Sequence, residues 1–228
     1  IGLDLPPQIR VYGAFLIYSF AMGQIFPRLG DLQLQMGVET GAFGLGLIGA
    51  PIGSLISLTL ASPIIEKVGA RRSLLTLIPL MMVCYALVVH ATSPLLMFLL
   101  LLPAGLCIGG IEVIINLEAD RTEHLIGRRI MNRSHGFWSL GFFGAGMAGA
   151  MLAQLGLSPQ VHLALMVPAI LVATLMVLGG FEPAPHRTGT NTEKPPRFAR
   201  PTLAIMILVA VTLSAMILEG AGIDWSAI

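Results

Sequence analysis

Residues 73–111 read SLLTLIPLMMVCYALVVHATSPLLMFLLLLPAGLCIGGI, 39 residues without a charge between Arg72 and Glu112. About 20 apolar residues cross the roughly 30 Å hydrocarbon core of a bilayer, so this stretch is too long for one crossing and has to fold back. His90-Ala91-Thr92-Ser93-Pro94 marks the place: polar turn residues lead into a proline suited to the first turn of a helix. The same reading applies to Arg133–Glu182, which encloses 48 uncharged residues and is interrupted by Gly156-Leu157-Ser158-Pro159. Shorter intervals, with 17 residues between Arg10 and Arg28, 26 between Glu39 and Glu66, and 18 between Arg200 and Glu219, each fit one crossing. Seven spans follow, at 11–32, 41–65, 73–91, 95–117, 135–156, 160–181 and 202–220. The expected fold class is all-α, a polytopic transmembrane helical bundle.

Composition agrees with this reading. Of 228 residues, 55% are hydrophobic and 11% charged, with mean hydropathy +0.85. A soluble domain carries about a quarter charged residues, so this chain lacks the charge to coat a wetted surface. The 26 Gly and 15 Pro suit close-packed or interrupted membrane helices. A net charge of +1, without basic clusters interleaved with aromatics, gives no reason to expect a nucleic-acid partner. Cys84 and Cys107 lie in apolar runs without metal-ligand or CxxC spacing and read as small core residues.

Charge asymmetry orients the bundle. With the N-terminus on the cytoplasmic side, Arg10, then Lys67, Arg71 and Arg72, then Arg121, Arg128, Arg129 and Arg133, then Arg187, Lys194, Arg197 and Arg200 all lie inside. That is 12 of 13 basic residues, Arg28 being the exception, as the positive-inside rule expects. Residues 182–201 are polar, contain five prolines and read as a cytoplasmic connector. The expected organisation is a six-helix bundle over 1–181, this connector, and over 202–228 a seventh helix with the start of an outer loop. No cleavable signal peptide is expected. A chain starting at Ile1 and stopping after one further helix reads as a fragment, with about five more spans expected beyond it.

The loop Ser62-Pro63-Ile64-Ile65-Glu66-Lys67-Val68-Gly69-Ala70-Arg71 resembles the inner-loop signature of the major facilitator superfamily, G-x-L-A-D-R-x-G-R-R. Glu66 takes the acidic place and Lys67 the basic one, while Gly69 and Arg71 fit directly. The resemblance implies the six-plus-six-helix fold of that superfamily, here its N-terminal half plus the first helix of the second. It also implies an inner gate formed by Glu66, Lys67, Gly69 and Arg71; a positive-inside hairpin without gating is the plainer alternative. Gly109-Gly110-Ile111-Glu112-Val113-Ile114-Ile115-Asn116 is similar to the fourth-helix segment of the fucose–proton symporter branch, whose acid is implicated in proton coupling. Arg28-Leu29-Gly30-Asp31-Leu32, Gly127–Met131 with His135–Gly141, and Glu219–Ala227 look like segments of uncharacterised bacterial inner-membrane transporters of the same superfamily.

The residues themselves support particular roles. Gly105, Gly109, Glu112 and Asn116 recur at helical spacing and share one face. A carboxyl inside a membrane is expensive unless it faces a polar cavity or takes a proton, which makes Glu112 the proton-coupling candidate. If the fourth span ends early, Glu112 sits at the inner headgroups instead. Gln24, Arg28 and Asp31 share a face of the first span, as a ligand-facing cluster or an interfacial ion pair. His135, Trp138, Ser139 and Phe142 share a face at the start of the fifth. Gln24, Arg28, Asn116, His135 and Trp138 are therefore substrate-binding candidates, although Trp138 is equally an interfacial anchor. Glu219 and Asp224 fall where the seventh span meets the outer side. His90, His162 and His186, at turns or in the connector, read as solvated.

Small residues four apart, Gly49 and Gly53, Gly105 and Gly109, and Gly141, Ala145 and Gly149, predict close helix crossings. With no nucleophile, phosphate-loop or zinc constellation, an enzyme is not expected, nor is a cofactor or metal. The expected function is secondary transport of a small polar solute, sugar-like or a related metabolite, by alternating access with Glu112 as the candidate coupling group. Efflux of drugs or metabolites is the alternative within transport, and a non-transporting membrane sensor or assembly protein is the alternative outside it. Expected partners are the lipid bilayer of a bacterial inner membrane, the solute, protons and a C-terminal bundle of the same protein.

Overall fold

The computed structural model describes residues 2–185 and 201–225. These divide into two units, Ile1–Pro185 and His186–Ile228. In the first, α1 (Pro7–Gly23), a 3-10 turn (Phe26–Arg28) and α2 (Leu29–Met36) run on as one apolar segment, Pro7–Met36. Pro27 removes one backbone donor, which accounts for the irregular turn at that point. Then come α3 (Thr40–Leu47), α4 (Gly49–Leu60), α5 (Ser62–Val68), α6 (Ala70–Val88), α7 (Pro94–Ile126), α8 (Met131–Gln154) and α9 (Pro159–Leu178). Among the described residues, six helical segments are long and apolar enough to cross a membrane: Pro7–Met36, Thr40–Leu60, Ala70–Val88, Pro94–Ile126, Met131–Gln154 and Pro159–Leu178. The second unit contains α10 (Leu203–Trp225), apolar over Leu203–Leu218. The described residues form helices and no strands.

Both long uncharged stretches fold back where the sequence indicates. The Ser93 hydroxyl accepts the Leu96 amide at 3.2 Å with Pro94 opening α7, and the Ser158 hydroxyl accepts the Val161 amide at 3.3 Å with Pro159 opening α9. Several helix ends differ from the charge-based boundaries, the first segment running Pro7–Met36 instead of 11–32 and α10 reaching Trp225 instead of 220. α7 does not stop at 117 but runs to Ile126, through Glu118, Asp120, Arg121 and Glu123. Charge ends a membrane crossing without ending a helix, because Arg121 Nη1 donates to Glu118 Oε1 at 3.0 Å one turn away. α8 begins at Met131, four residues ahead of the expected 135, with the Glu123 carboxylate accepting the Ile130 and Met131 amides at 2.9 and 3.1 Å. The second crossing ends at Leu60, not 65, where Pro63 starts the separate short helix α5.

The core of the first unit lies between α1, α6 and α7 and includes Phe15, Tyr18, Leu74, Ile78, Met81, Met82, Met97 and Ile111, all fully buried. Leu99, Phe143, Met147, Met151, Leu155, Leu165 and Val172 are exposed on its outside. An apolar surface on this scale suits hydrocarbon, not water.

Glycines set how closely the helices cross. A Cβ on Gly53 would strike the Leu102 carbonyl, and one on Gly105 the Ala50 carbonyl, so α4 and α7 meet backbone to backbone. Gly105→Ala should lower the unfolding midpoint in detergent, by strain of about 1–3 kcal/mol. Gly146→Ala meets open space and should be neutral or stabilising by up to about 1 kcal/mol. Equal midpoints for the two variants would show that the α4–α7 crossing relaxes freely.

Candidate functional site

Three helices bring polar groups together around Glu112. From α7, the Asn116 amide donates to Glu112 Oε2 and to the Glu112 backbone carbonyl, each at 3.0 Å, so the i, i+4 spacing is realised as a direct bond. The buried Tyr18 hydroxyl of α1 donates to Met22 Sδ at 3.4 Å, and both it and His135 of α8 lie within electrostatic range of the same carboxyl. Glu112 and Asn116 are half-buried, and α7 continues for 14 residues beyond Glu112, about 21 Å at 1.5 Å per residue. The His135 ring meets Phe15 edge-on at 5.3 Å, and Trp138 stacks on Phe142 at 5.3 Å with planes 4° apart. The sequence indicates Glu112, Asn116, His135 and Trp138. Tyr18 gives no signal, because an aromatic in an apolar span reads as core.

A second polar cluster joins α1 to α9 and is closed to solvent. His162 and Gln24 are 0% exposed and Arg28 is 2% exposed. Arg28 Nε donates to His162 Nδ1 at 3.0 Å, and His162 Nε2 lies 2.8 Å from Gln24 Oε1. A guanidinium has only donors, so Nδ1 must carry the lone pair and Nε2 the hydrogen, which it gives to Gln24. Gln24 Nε2 in turn donates to the Phe20 carbonyl at 3.2 Å. Arg28 Nη1 reaches Asp31 at 3.2 Å, and Nη2 is buried with no partner in the structure. His162 is therefore not the solvated turn residue that its position after Gly156–Pro159 suggests. Its partner is 134 residues away, and only folding brings the two together.

At the opposite end, where the basic residues gather, Glu66 and Lys67 are exposed and make no ion pair with any described residue. Gly69 takes φ +87, a conformation that favours glycine. Arg71 donates to the Gly179 carbonyl at the end of α9. Glu118, 2% exposed and not singled out by the sequence, accepts Arg121 at 3.0 Å and the Ala184 amide at 2.9 Å, tying the chain after α9 to α7. His186 and most of the 182–201 connector lie outside the described residues, as do the side chains of Glu219 and Asp224. Cys84 and Cys107 are buried free thiols, and among the described residues no group of three or more His, Cys, Asp or Glu is placed to hold a metal.

Fold and site define a polytopic helical-bundle membrane protein with a carboxyl–amide pair on one membrane-length helix and hydrogen-bonded ties between distant helices. The chain is similar to an uncharacterized MFS-type transporter of Yersinia pestis, 29% identical over 226 residues, which cover 97% of this chain and 56% of that protein. It is also similar to an uncharacterized transporter of Sinorhizobium fredii, 28% identical over 227 residues, covering 98% of this chain and 59% of that protein. The chain thus spans about half the length of the curated relatives it matches. The resemblance to the major facilitator superfamily read from residues 62–71, and that to uncharacterised bacterial transporters read from residues 28–32, 127–131, 135–141 and 219–227, agree with these relatives, whose similarity runs along nearly the whole chain. No family model matches it, and no solved structure matches it.

Proposed function

We propose that this chain is the N-terminal half of a secondary transporter that moves a small polar solute, sugar-like or a related metabolite, by alternating access. Proton coupling is assigned to Glu112. The observation that carries this reading is the half-buried Glu112–Asn116 pair, on a membrane-length apolar helix, with Glu112 six residues ahead of that helix's next charged residue. Taking up a proton removes the burden of a charge in apolar surroundings, whereas the Asn116 donor favours the ionised carboxylate. The group therefore has support in both states, as a carboxyl that loads and releases a proton requires. Asn116 and His135 offer a solute an amide and an imidazole near that carboxyl, and Trp138, one turn along α8 from His135, would offer a flat ring. The solute site would be completed near the bilayer midplane by a second bundle, as in transporters built from repeats. Glu66, Lys67, Gly69 and Arg71 would gate the inner side, Arg71 through its bond to the end of α9. The charge distribution supports a cytoplasmic N-terminus in a bacterial inner membrane.

The test uses the full-length protein in proteoliposomes loaded with a pH dye, with sugars and small metabolites added outside one at a time. At least one solute should acidify the interior in proportion to its own uptake. Solute uptake without proton movement would leave a uniporter and remove the coupling assignment. No uptake across the panel, with no solute-dependent change in stability, would favour a sensor or assembly protein.

A further inference from the structure

A cavity of about 450 Å³ opens at the basic end of the bundle, between the start of α1, the end of α7 and the start of α8. Arg128, Arg129 and Arg133 line it together with Gln8 and Tyr12. No acidic residue lines it, and no described carboxylate pairs with any of the three arginines. The carboxylate nearest in sequence, Glu123, is turned onto the Ile130 and Met131 amides. The three guanidiniums also stand at the N-terminal end of α8, where the helix dipole is positive, so they crowd charge of one sign at its least favourable place. Ile9, Ile126 and Ile130 give the cavity an apolar side, and Tyr12, stacked on Phe137 at 4.9 Å, is only 8% exposed. The volume lies within the roughly 300–1,000 Å³ of sites that take organic ligands.

We infer that this cavity binds a phosphate-ester anion, its oxygens held by Arg128, Arg129 and Arg133 and its apolar portion set against the three isoleucines. Guanidinium forks match phosphate oxygens in geometry and charge, whereas positive-inside asymmetry by itself requires neither convergence on a cavity nor an apolar wall. An anionic phospholipid headgroup and a soluble phosphate share this chemistry. The site is independent of the Glu112 assignment.

Full-length protein in mixed micelles with labelled phosphatidylglycerol tests it, with phosphatidylcholine and inorganic phosphate as competitors. Saturable phosphatidylglycerol binding is expected, weakened at least about ten-fold in Arg128→Gln/Arg129→Gln/Arg133→Gln, since each charge-assisted bond can supply such a factor. All three side chains are exposed, so the variant should keep the wild-type elution volume and unfolding midpoint. Arg187→Gln/Lys194→Gln/Arg197→Gln, which removes equal charge elsewhere in the chain, should bind within about two-fold of wild type, a factor expected of diffuse charge alone. Displacement by inorganic phosphate, with phosphatidylcholine inert, would identify a site that also takes soluble phosphates; displacement by neither would identify the lipid headgroup as the source. Either result upholds the inference. Non-saturable binding, or equal weakening in both triple variants, overturns it.

Discussion

Glu112→Gln in the full-length protein should abolish solute-driven acidification of proteoliposomes while leaving exchange of labelled for unlabelled solute across the same membrane. Gln keeps the size of the side chain and an oxygen that can accept from Asn116, so the bond now measured at 3.0 Å has a substitute. What it loses is the ability to bind a proton. A carrier that returns empty only after protonation change would then stall in net uptake, by at least about 100-fold for a group that takes part in proton transfer. Solute-for-solute exchange needs no return of the empty carrier and should survive. Loss of both activities with an unchanged unfolding midpoint would make Glu112 a solute ligand, and retention of both would make it structural.

The Arg28–His162–Gln24 cluster should give the largest stability effect, and an asymmetric one. His162→Leu leaves Arg28 Nε without its acceptor, next to an Nη2 that already lacks a partner, inside a region closed to solvent. Breaking a buried, hydrogen-bonded charge in this way costs about 3–5 kcal/mol. Arg28→Met removes the charge itself and leaves only the His162 Nδ1 lone pair and an exposed Asp31, so about 1–3 kcal/mol is expected. The double variant should be more stable than His162→Leu alone, because the orphaned guanidinium is gone. Unfolding midpoints in one detergent decide the matter. If the two single losses simply add, the guanidinium finds another partner or water, and the cluster is not a unit.

How much of this was legible in the sequence depended on the range of each interaction. The fold-backs at Ser93-Pro94 and Ser158-Pro159 are local, with cap and proline adjacent, and both appear as read. Glu112 and Asn116 are one turn apart, so their bond follows from spacing. Ends defined by charge were less secure. The extension of α7 past 117 rests on Arg121 meeting Glu118, and the early start of α8 rests on Glu123 reaching seven and eight residues forward to two amides. Tyr18 and His162 had no local signature. One looks like core and the other like a loop, and their roles come from helices that only the folded bundle places beside them.

The separation of 134 positions between Arg28 and His162 also has a consequence in time. A chain threaded into a bilayer as it is made inserts its first crossing well before its last. At roughly 5–20 residues per second of synthesis, Arg28 stands without its imidazole for about 7–27 s. During that interval the first crossing carries a guanidinium held only by Asp31 and by whatever water or insertion machinery attends it. The last helix of the first unit is thus also the one that supplies this guanidinium with its buried acceptor. A ribosome stalled before residue 162 should leave a nascent chain whose first crossing is still open to quality control, and arrival of α9 should close it.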